Sequence, residues 1–373
     1  MNWDFTVEQE RFRAEVRGLL RERPELVEPN QFFHGRGGNV RILYRALGAR
    51  GWLSLAWPAE HGGAARSPAY EYILWDELAY ARAARPDIAV GMVAKTIINH
   101  GTPEQRARYL PGIRAGEVGF ALGYSEPEAG SDLRAVRTRA VRDADVYRVT
   151  GEKRWTSDAH HSRYLWLLCR ASAGGVDAGR TLLILDLTAP GVTIRPIRTI
   201  DGHRLNEIFL DEVRVSVEDR VGAEGAAWDL IRDALALERH LMLLPGRVRR
   251  DYDDLVAWAR PAGVLDDPAM VRRLRELAVD VAEAEVAALV ALAAAEAGAD
   301  ATVPAAEAKL LGSTASQRIA RAAFDAGHLS AAETGGQLEL LWRETVMETI
   351  AGGTSEVIRS VIARGALGLA GNR

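Results

Sequence analysis

Hydrophobic and polar positions along the 373-residue chain change period twice. From 1 to 118 they recur mostly at helical steps. Thr102-Pro103-Glu104-Gln105 reads as a helix start, with Thr as N-cap, Pro in the first turn and Gln closing a capping box. It leads into RARYLPGIRAGE, where Pro111-Gly112 is expected to break the helix. From 119 to 222 the period shortens to two. AVRTRAVRD alternates about Val136, Thr138 and Ala140, and YRVTGEKRWTS, RYLWLLCR, RTLLILDL, GVTIRPI and NEIFLDEVRV follow at short spacing. Pro190-Gly191, Asp201-Gly202 and 173–179 separate some of these strands.

From 223 to 373 the helical period returns. Asp267-Pro268 is an N-cap with Pro behind it, and Val271, Leu274, Ala278, Val281, Ala288 and Leu292 are expected to form one buried stripe. Gly298 ends that helix, and a second runs from about 304 to 327. Helices, then strands, then helices imply segregated domains, not a doubly wound sheet. The reading is a mainly α protein with a β-domain. It has an N-terminal helical domain over 1–118, a middle β-sandwich or barrel domain over 119–222 and a C-terminal helical bundle over 223–373.

Charge narrows the function. A net charge of −4 and a pI of about 6.1 argue against a nucleic-acid binder, which needs a basic face to displace counterions. They leave room for a small phosphate-bearing ligand held by local Arg. Of 47 basic residues only Lys95, Lys153 and Lys309 are lysines, which beside abundant Ala reads as the codon usage of a GC-rich genome. Cys169 is the one cysteine, so no intrachain disulfide or Cys-based metal site is available, and its apolar surroundings predict burial. MNWDFTVEQERFR lacks the pattern of a secretory signal, and no uncharged apolar run reaches the roughly 18 residues of a membrane span. A cytoplasmic protein without membrane insertion is expected.

The sequence has no GxGxxG after a strand, no P-loop, no HExxH and no GxSxG. Its adjacent pair His160-His161 is read as a polar loop, because neighbours face apart on a helix or a strand, and no metal is expected. Residues 122–133, LGYSEPEAGSDL, lie at the helix-to-strand transition and are rich in hydroxyls and Gly. Such a loop presents backbone N–H groups and Ser oxygens to a flavin ring and its pyrophosphate, with Gly130 allowing close approach. A polar interdomain loop is the plainer alternative.

Six ordered segments together resemble the acyl-CoA dehydrogenase family. They are GWLSLAWPAEHGG at 51–63, SEPEAGSD at 125–132, GEKRWTS at 151–157, PGVTIRPI at 190–197, NEIFLDEVRV at 206–215 and TIAGGTSEVIRSVIA at 349–363. In the first, Ala59 stands ahead of the acid. The resemblance implies the same three domains, the last a four-helix bundle, and an FAD cofactor. By motif position, Leu122, Tyr124 and Ser125 would border the flavin ring, and Ser131 would meet the pyrophosphate and the acyl-CoA. Trp155 would pack on the ring, Ser157 would bond near its N5, and Thr354 and Glu356 would complete the site.

The reaction implied is α,β-dehydrogenation of an acyl-CoA or acyl carrier protein thioester, with electrons passing on to an electron-transferring flavoprotein. Many family members place the catalytic Glu immediately before Gly-Thr-Ser in the last signature. Here that position is Gly352, which cannot accept a proton but offers its N–H to the thioester oxygen. A subset of the family carries the base in a Glu-Arg pair on an early helix of the C-terminal domain. LALERHL contains that pair, Glu238 and Arg239, and Glu238 is read as the base, with Arg239 and Gly352 on the substrate side. A helix-surface acid paired with Arg239 or Arg232 is the alternative.

Two adenosine-binding stretches of the family are altered. ARPAGVLDD keeps Arg260 without Phe-Gly, and SAAETGGQLELLWRE does not match Gln-x-x-Gly-Gly-x-Gly. This resembles actinobacterial members that assemble as α2β2 heterotetramers, though a homo-oligomer stays open. Two rival readings remain: a flavin oxidase or monooxygenase on the same fold, and a non-catalytic subunit of a heteromeric dehydrogenase.

Overall fold

The computed structural model describes residues 4–27, 40–238, 244–326, 332–333 and 335–369, and of 235–238 only the main chain. Contacts divide the chain into two units, one holding 1–38, 66–85 and 238–373, the other 39–65 and 86–237. The early helices therefore divide between them. Helices α1 (Val7–Glu22) and α3 (Pro68–Tyr80) belong to the first unit, and α2 (Arg41–Gly48), α4 (Ala94–His100) and α5 (Pro103–Arg114) to the second.

The second unit is built on one eight-stranded sheet. Its strands are β1 (Phe120–Gly123), β2 (Arg139–Asp143), β3 (Val146–Ser157), β4 (Tyr164–Ala173), β5 (Val176–Asp186), β6 (Val192–Arg198), β7 (Arg204–Ser216) and β8 (Arg220–Val221). They run in the order β6-β7-β3-β2-β4-β5-β8, with β1 paired in parallel to the first half of β4. Leu165, Trp166, Leu167, Leu168 and Cys169 are all buried, so β4 is covered on both faces, which is why its sequence is a continuous apolar run. One face packs Tyr147, Val149, Leu167, Leu185 and Ile208 into a core. On the other, α5 lays the Tyr109 ring edge-on against Phe120 and Tyr164, at 6.0 and 5.3 Å between centroids.

The Thr102 capping box is present: Gln105 N–H donates to Thr102 Oγ1 at 3.2 Å, and Thr102 N–H to Gln105 Oε1 at 3.1 Å. The expected break at Pro111-Gly112 is not there. Helix α5 runs through Pro111 to Arg114. Pro111 lies in the last turn, where losing one N–H forfeits a single bond, and the chain turns away only at Gly116 with φ of 71°.

Helix α6 (Ala227–Glu238) closes the second unit, Glu238 being the first residue past its boundary, and the first unit goes on with α7 (Pro245–Ala259), α8 (Pro268–Glu296), α9 (Thr302–Asp325), α10 (Gln337–Glu348) and α11 (Ser355–Gly365). Asp267 caps α8 by accepting Ala269 N–H at 2.8 Å, and Gly298, at φ of 65°, follows its end. The buried stripe of α8 is Met270, Leu274, Leu277, Val281, Ala284, Ala288 and Ala291, with the expected Leu292 buried beside the last, while Met270 takes the inward place expected of the half-buried Val271. Steps of four and three residues alternate, so Leu277 takes the inward place expected of Ala278, which is exposed. Among the described residues no helix is long and apolar enough to cross a membrane.

Candidate functional site

In the sheet unit two of the signature segments are stitched together. Arg154 N–H donates to Ser125 O at 2.9 Å. Lys153 Nζ donates to Tyr124 O at 3.2 Å and to Glu126 Oε1 at 2.7 Å. The Glu126 carboxylate also accepts the N–H groups of Arg137 at 2.6 Å and Thr138 at 3.0 Å. Burial works against its charge, but the Lys153 ammonium and these donors hold Glu126 below the usual carboxylate range. Glu126 N–H and O also bond Ala129 O and N–H, at 2.8 and 3.1 Å, and so close a tight turn. Beyond the turn, Gly130 and Ser131 are exposed, and a Cβ at Gly130 would meet nothing within 4 Å.

The Tyr124 side chain does not face this surface. Its hydroxyl accepts from Trp166 Nε1 at 3.2 Å and lies 3.8 Å from Met92 Sδ. What 122–125 offers a ligand is main chain and the half-buried Ser125, with Leu122 half-buried beside them.

Strand β3 carries the second half of the surface. Its pairing with β7 passes from Lys153↔Ile208 to Thr156↔Asn206, so β3 holds one extra residue. At this bulge Trp155 takes a left-handed φ of 62° and stays 51% exposed. A half-exposed indole held in a conformation that L-residues avoid makes Trp155 a candidate functional position. The Arg154 guanidinium lies 5.1 Å from the ring centroid and pairs with Glu207 at 3.1 Å. The next residue, Thr156, is buried, and among the described residues its Oγ1 has no hydrogen-bond partner. Ser157 follows, half-buried. A half-exposed aromatic ring, a hydroxyl without a partner among the described residues and a second hydroxyl fit a flat heterocycle bearing polar ring atoms, and so fit a flavin.

Buried Asn206 fixes the end of β3. Its Nδ2 donates to Thr156 O at 2.9 Å and faces His160 Nδ1 at 3.3 Å, while Arg204 Nε donates to its Oδ1 at 3.1 Å. That orientation makes His160 Nδ1 the acceptor. His160 and His161 do face one another, with ring centroids 3.9 Å apart, contrary to the sequence expectation. They sit in a turn after β3, where consecutive side chains can converge. Burial, then the neighbouring His161 and Arg204, push the His160 pKa down to about 4, so the ring is neutral at pH 7. Among the described residues no cluster of three metal-ligating side chains occurs.

The helical unit holds the other signature. Between α10 and α11 the chain turns at Gly352 and Gly353, with φ of 67° and 97°. Thr354 caps α11, its Oγ1 accepting Val357 N–H at 3.2 Å. Exposed Glu356 is in the first turn, where hydrogen bonds from its own N–H and from Thr354 hold its pKa down. Lys309 Nζ, from α9, donates to Glu348 O at 2.8 Å and Gly353 O at 2.9 Å. Among the described residues the Gly352 N–H has no acceptor.

The structure thus joins Ser125 and its neighbours to Trp155 and Ser157 in one unit, and gathers Gly352, Thr354 and Glu356 in the other. Glu238 is the last residue of α6; its side chain and the whole of Arg239 lie outside the described residues. Sequence reasoning missed Lys153, Glu126, Asn206 and Lys309 as parts of these surfaces. One signal was available, since two of the chain's three lysines fall here.

Three family models match the chain: acyl-CoA dehydrogenase N-terminal domain over 6–117, middle domain over 121–213 and C-terminal domain over 225–367. Acyl-CoA dehydrogenase FadE26 of Mycobacterium tuberculosis is 35% identical over 397 residues, covering 99% of each chain. The structure of the ChsE4-ChsE5 complex from Mycobacterium tuberculosis superposes with a TM-score of 0.89 at 33% identity, over 100% of both chains. That of the Tcur3481-Tcur3483 steroid ACAD gives 0.90 at 31% identity, again over 100% of both.

Proposed function

The chain belongs to the acyl-CoA dehydrogenase family of flavoprotein oxidoreductases, and from that premise we propose that it desaturates the α,β bond of a steroid-type acyl-CoA, with FAD as cofactor and Glu238 as base. The observation that carries the cofactor assignment is Trp155, strained and solvent-facing beside the unpartnered Thr156 hydroxyl and the Ser125 main chain. When bound, FAD supplies a two-electron acceptor for the β hydrogen.

The chain's own residues handle the rest. The α C–H next to a thioester is weakly acidic, so the carbonyl oxygen must be hydrogen-bonded as enolate character develops. The Gly352 N–H is the donor this reading assigns to it. With no carboxylate at 352, the proton acceptor comes from another helix, and Glu238, the last residue of α6 and the acid of the Glu-Arg pair in the sequence, supplies it. Ser125 and Ser157 orient the cofactor, with Leu122 and Tyr124 giving main chain, and Ser131 meets its pyrophosphate and the CoA.

The steroid-type acyl group is supported by the name of the Tcur3481-Tcur3483 relative and by a feature of the sheet unit. Ala89–Val93 forms a fully buried π turn, a local distortion frequent at functional sites, and a Cβ at Gly91 there would meet nothing within 4 Å. The open space beside Gly91 is the place this reading assigns to the acyl group. The altered adenosine segments, and two relatives whose names each give a pair of proteins, support assembly with a related second subunit. An electron-transferring flavoprotein would take the electrons.

Anaerobic mixing of the purified flavoprotein with straight-chain, branched and steroid side-chain acyl-CoAs tests this reading. Flavin bleaching should be fastest with the steroid thioester, and reoxidation in air should be slow. A protein that stays colourless with every related subunit and added FAD would refute it. Rapid reoxidation would favour the oxidase reading.

A further inference from the structure

The chain carries Arg almost wherever it needs a cation: 44 of its 47 basic residues are Arg, the three lysines being the remainder. A lysine that persists against that bias marks a place where a guanidinium will not serve. Lys309 is 3% exposed, and its ammonium hydrogen bonds go to two main-chain carbonyls, Glu348 O at 2.8 Å and Gly353 O at 2.9 Å. An ammonium is compact, with three donors it can aim freely. A guanidinium is a rigid fork of five, and here it would bury N–H groups without acceptors.

The two carbonyls flank one segment. Glu348 is the last residue of α10, so its carbonyl is among those a helix end leaves unsatisfied, and a cation there also suits the helix dipole. Gly353 is the second of two consecutive glycines at positive φ. Ala-Gly-Gly is among the least self-constrained sequences a turn can have, because each Gly surrenders more freedom on ordering than any other residue. Ile350 and Ala351 N–H groups bond back to Met347 O, and Ser355 N–H to Thr349 O, but Gly352 itself is held from neither side within the turn. One buried ammonium thus closes the loop across Gly352, whose N–H has no acceptor among the described residues. Lys153 does the corresponding work in the sheet unit: equally buried, it bonds Tyr124 O within the other signature segment.

We propose that Lys309 is the positioning residue of the substrate-carbonyl donor: by pinning Glu348 O and Gly353 O together it fixes the direction of the Gly352 N–H. This rests on the reading of Gly352 as the thioester donor. The charge needed is supplied without a direct ion pair. Burial draws the Lys309 pKa down, and the fields of the Glu348 and Glu356 carboxylates oppose that shift.

The test uses the full-length flavoprotein, with its partner subunit if one co-purifies, and compares Lys309→Met and Lys309→Arg with wild type. Lys309→Met keeps the length and apolar stem and removes the donors. Hydrogen–deuterium exchange over 349–354 should quicken in both variants while exchange elsewhere holds. Flavin content should stay at the wild-type level. Flavin reduction at saturating steroid side-chain acyl-CoA should slow about tenfold to a hundredfold, the scale of a small misplacement of a reacting group. If Lys309→Met does not fold, Lys309→Gln, whose amide keeps one donor pair, carries the same measurements. Unchanged exchange over 349–354 overturns the pinning role. Quickened exchange with unchanged reduction overturns its link to the substrate, and a wild-type Lys309→Arg overturns the requirement for lysine. Should wild type reduce with no acyl-CoA, the proposed function fails, while the exchange data still decide whether Lys309 holds the turn.

Discussion

Lys153 Nζ lies 2.7 Å from Glu126 Oε1, with the Lys153 side chain fully buried and that of Glu126 5% exposed. The pair joins β3 to the turn after β1. It also organises main chain on both sides, since Lys153 bonds Tyr124 O and Glu126 bonds the N–H groups of Arg137 and Thr138. Taking two charges out of water is expensive, and an apolar pair of equal volume is often as stable. The value of this pair is therefore where it puts the chain.

That separates stability from function. Lys153→Met leaves a buried carboxylate without its cation and should cost about 3–5 kcal/mol in thermal or denaturant unfolding. Adding Glu126→Leu removes the stranded charge and should recover part of that loss. Flavin content should stay low in both variants, because the 122–125 main chain has lost its tether. Recovery of flavin binding together with stability in the double variant would show that the pair is only a core element.

Trp155 offers a second separation. A core Trp truncated to Ala costs about 3–5 kcal/mol. Trp155 is half exposed and sits at φ of 62°, a conformation that costs an L-residue about 1–2 kcal/mol. Trp155→Gly relieves that strain and should change the stability of the flavin-free protein by no more than about 1 kcal/mol, within the entropic penalty of the new Gly. Flavin affinity should fall about tenfold or more, the loss of one aromatic face. A large drop in apoprotein stability would identify Trp155 as packing.

The strands and their spacing were legible because a covered sheet imposes continuous apolar runs on β4 and β5, and period-two alternation on β2. Caps at Thr102 and Asp267 were legible because their hydrogen bonds are local. What the sequence concealed depends on contacts between distant segments. Nothing near Lys153 announces that it reaches Glu126, and nothing near Lys309 announces Glu348 and Gly353. The loop at His160-His161 was legible, but not that the two rings meet, because consecutive side chains diverge on helices and strands and converge in the turn the chain makes there. Ala278 was misjudged because a stripe read in steps of three or four can drift by one residue along a 29-residue helix. Pro111 was misjudged because the burial of Tyr109, Leu110 and Ile113 on either side of it holds α5 together across the proline.

In the helical unit, Glu344 and Glu348 lie on one face of α10 against Arg247, with Arg247 Nη2 at 2.9 Å from Glu344 Oε2. Asp251 shares the same arginine at 3.0 Å, and Arg82 also bonds Asp251. Burial, beyond what Arg247 and Arg82 offset and helped by Asp251 and Glu348, raises the Glu344 pKa from 4.5 to about 8. The folded state thus holds a proton that the unfolded state releases near pH 4.5. This contribution is fully present below that pH and is lost as pH rises through the folded pKa. Stability should fall by about 1.4 kcal/mol per pH unit across that window from this group alone. Glu344→Gln, neutral throughout, should flatten the fall, so its melting temperature should gain on wild type steadily from pH 5 to pH 8. Parallel curves for the two proteins would mean that Glu344 is ionised in the fold.

The base assignment rests on a coupled absence and presence, Gly at 352 and Glu at 238. Glu238→Gln keeps shape and hydrogen bonding but removes the proton acceptor. A positioned general base contributes about 10²–10⁴-fold, so flavin reduction by a good acyl-CoA should slow by at least that order with FAD content and melting temperature nearly unchanged. A Glu–Arg pair on a helix surface would behave otherwise: its loss costs at most about 1 kcal/mol and leaves the chemistry alone. The sharper experiment adds Gly352→Glu to Glu238→Gln. Glu at 352 must take a left-handed φ, which costs about 1–2 kcal/mol and perturbs the turn, so recovery should be partial. Even partial recovery of flavin reduction would show that both positions address one α carbon. Full activity in Glu238→Gln alone would end the assignment.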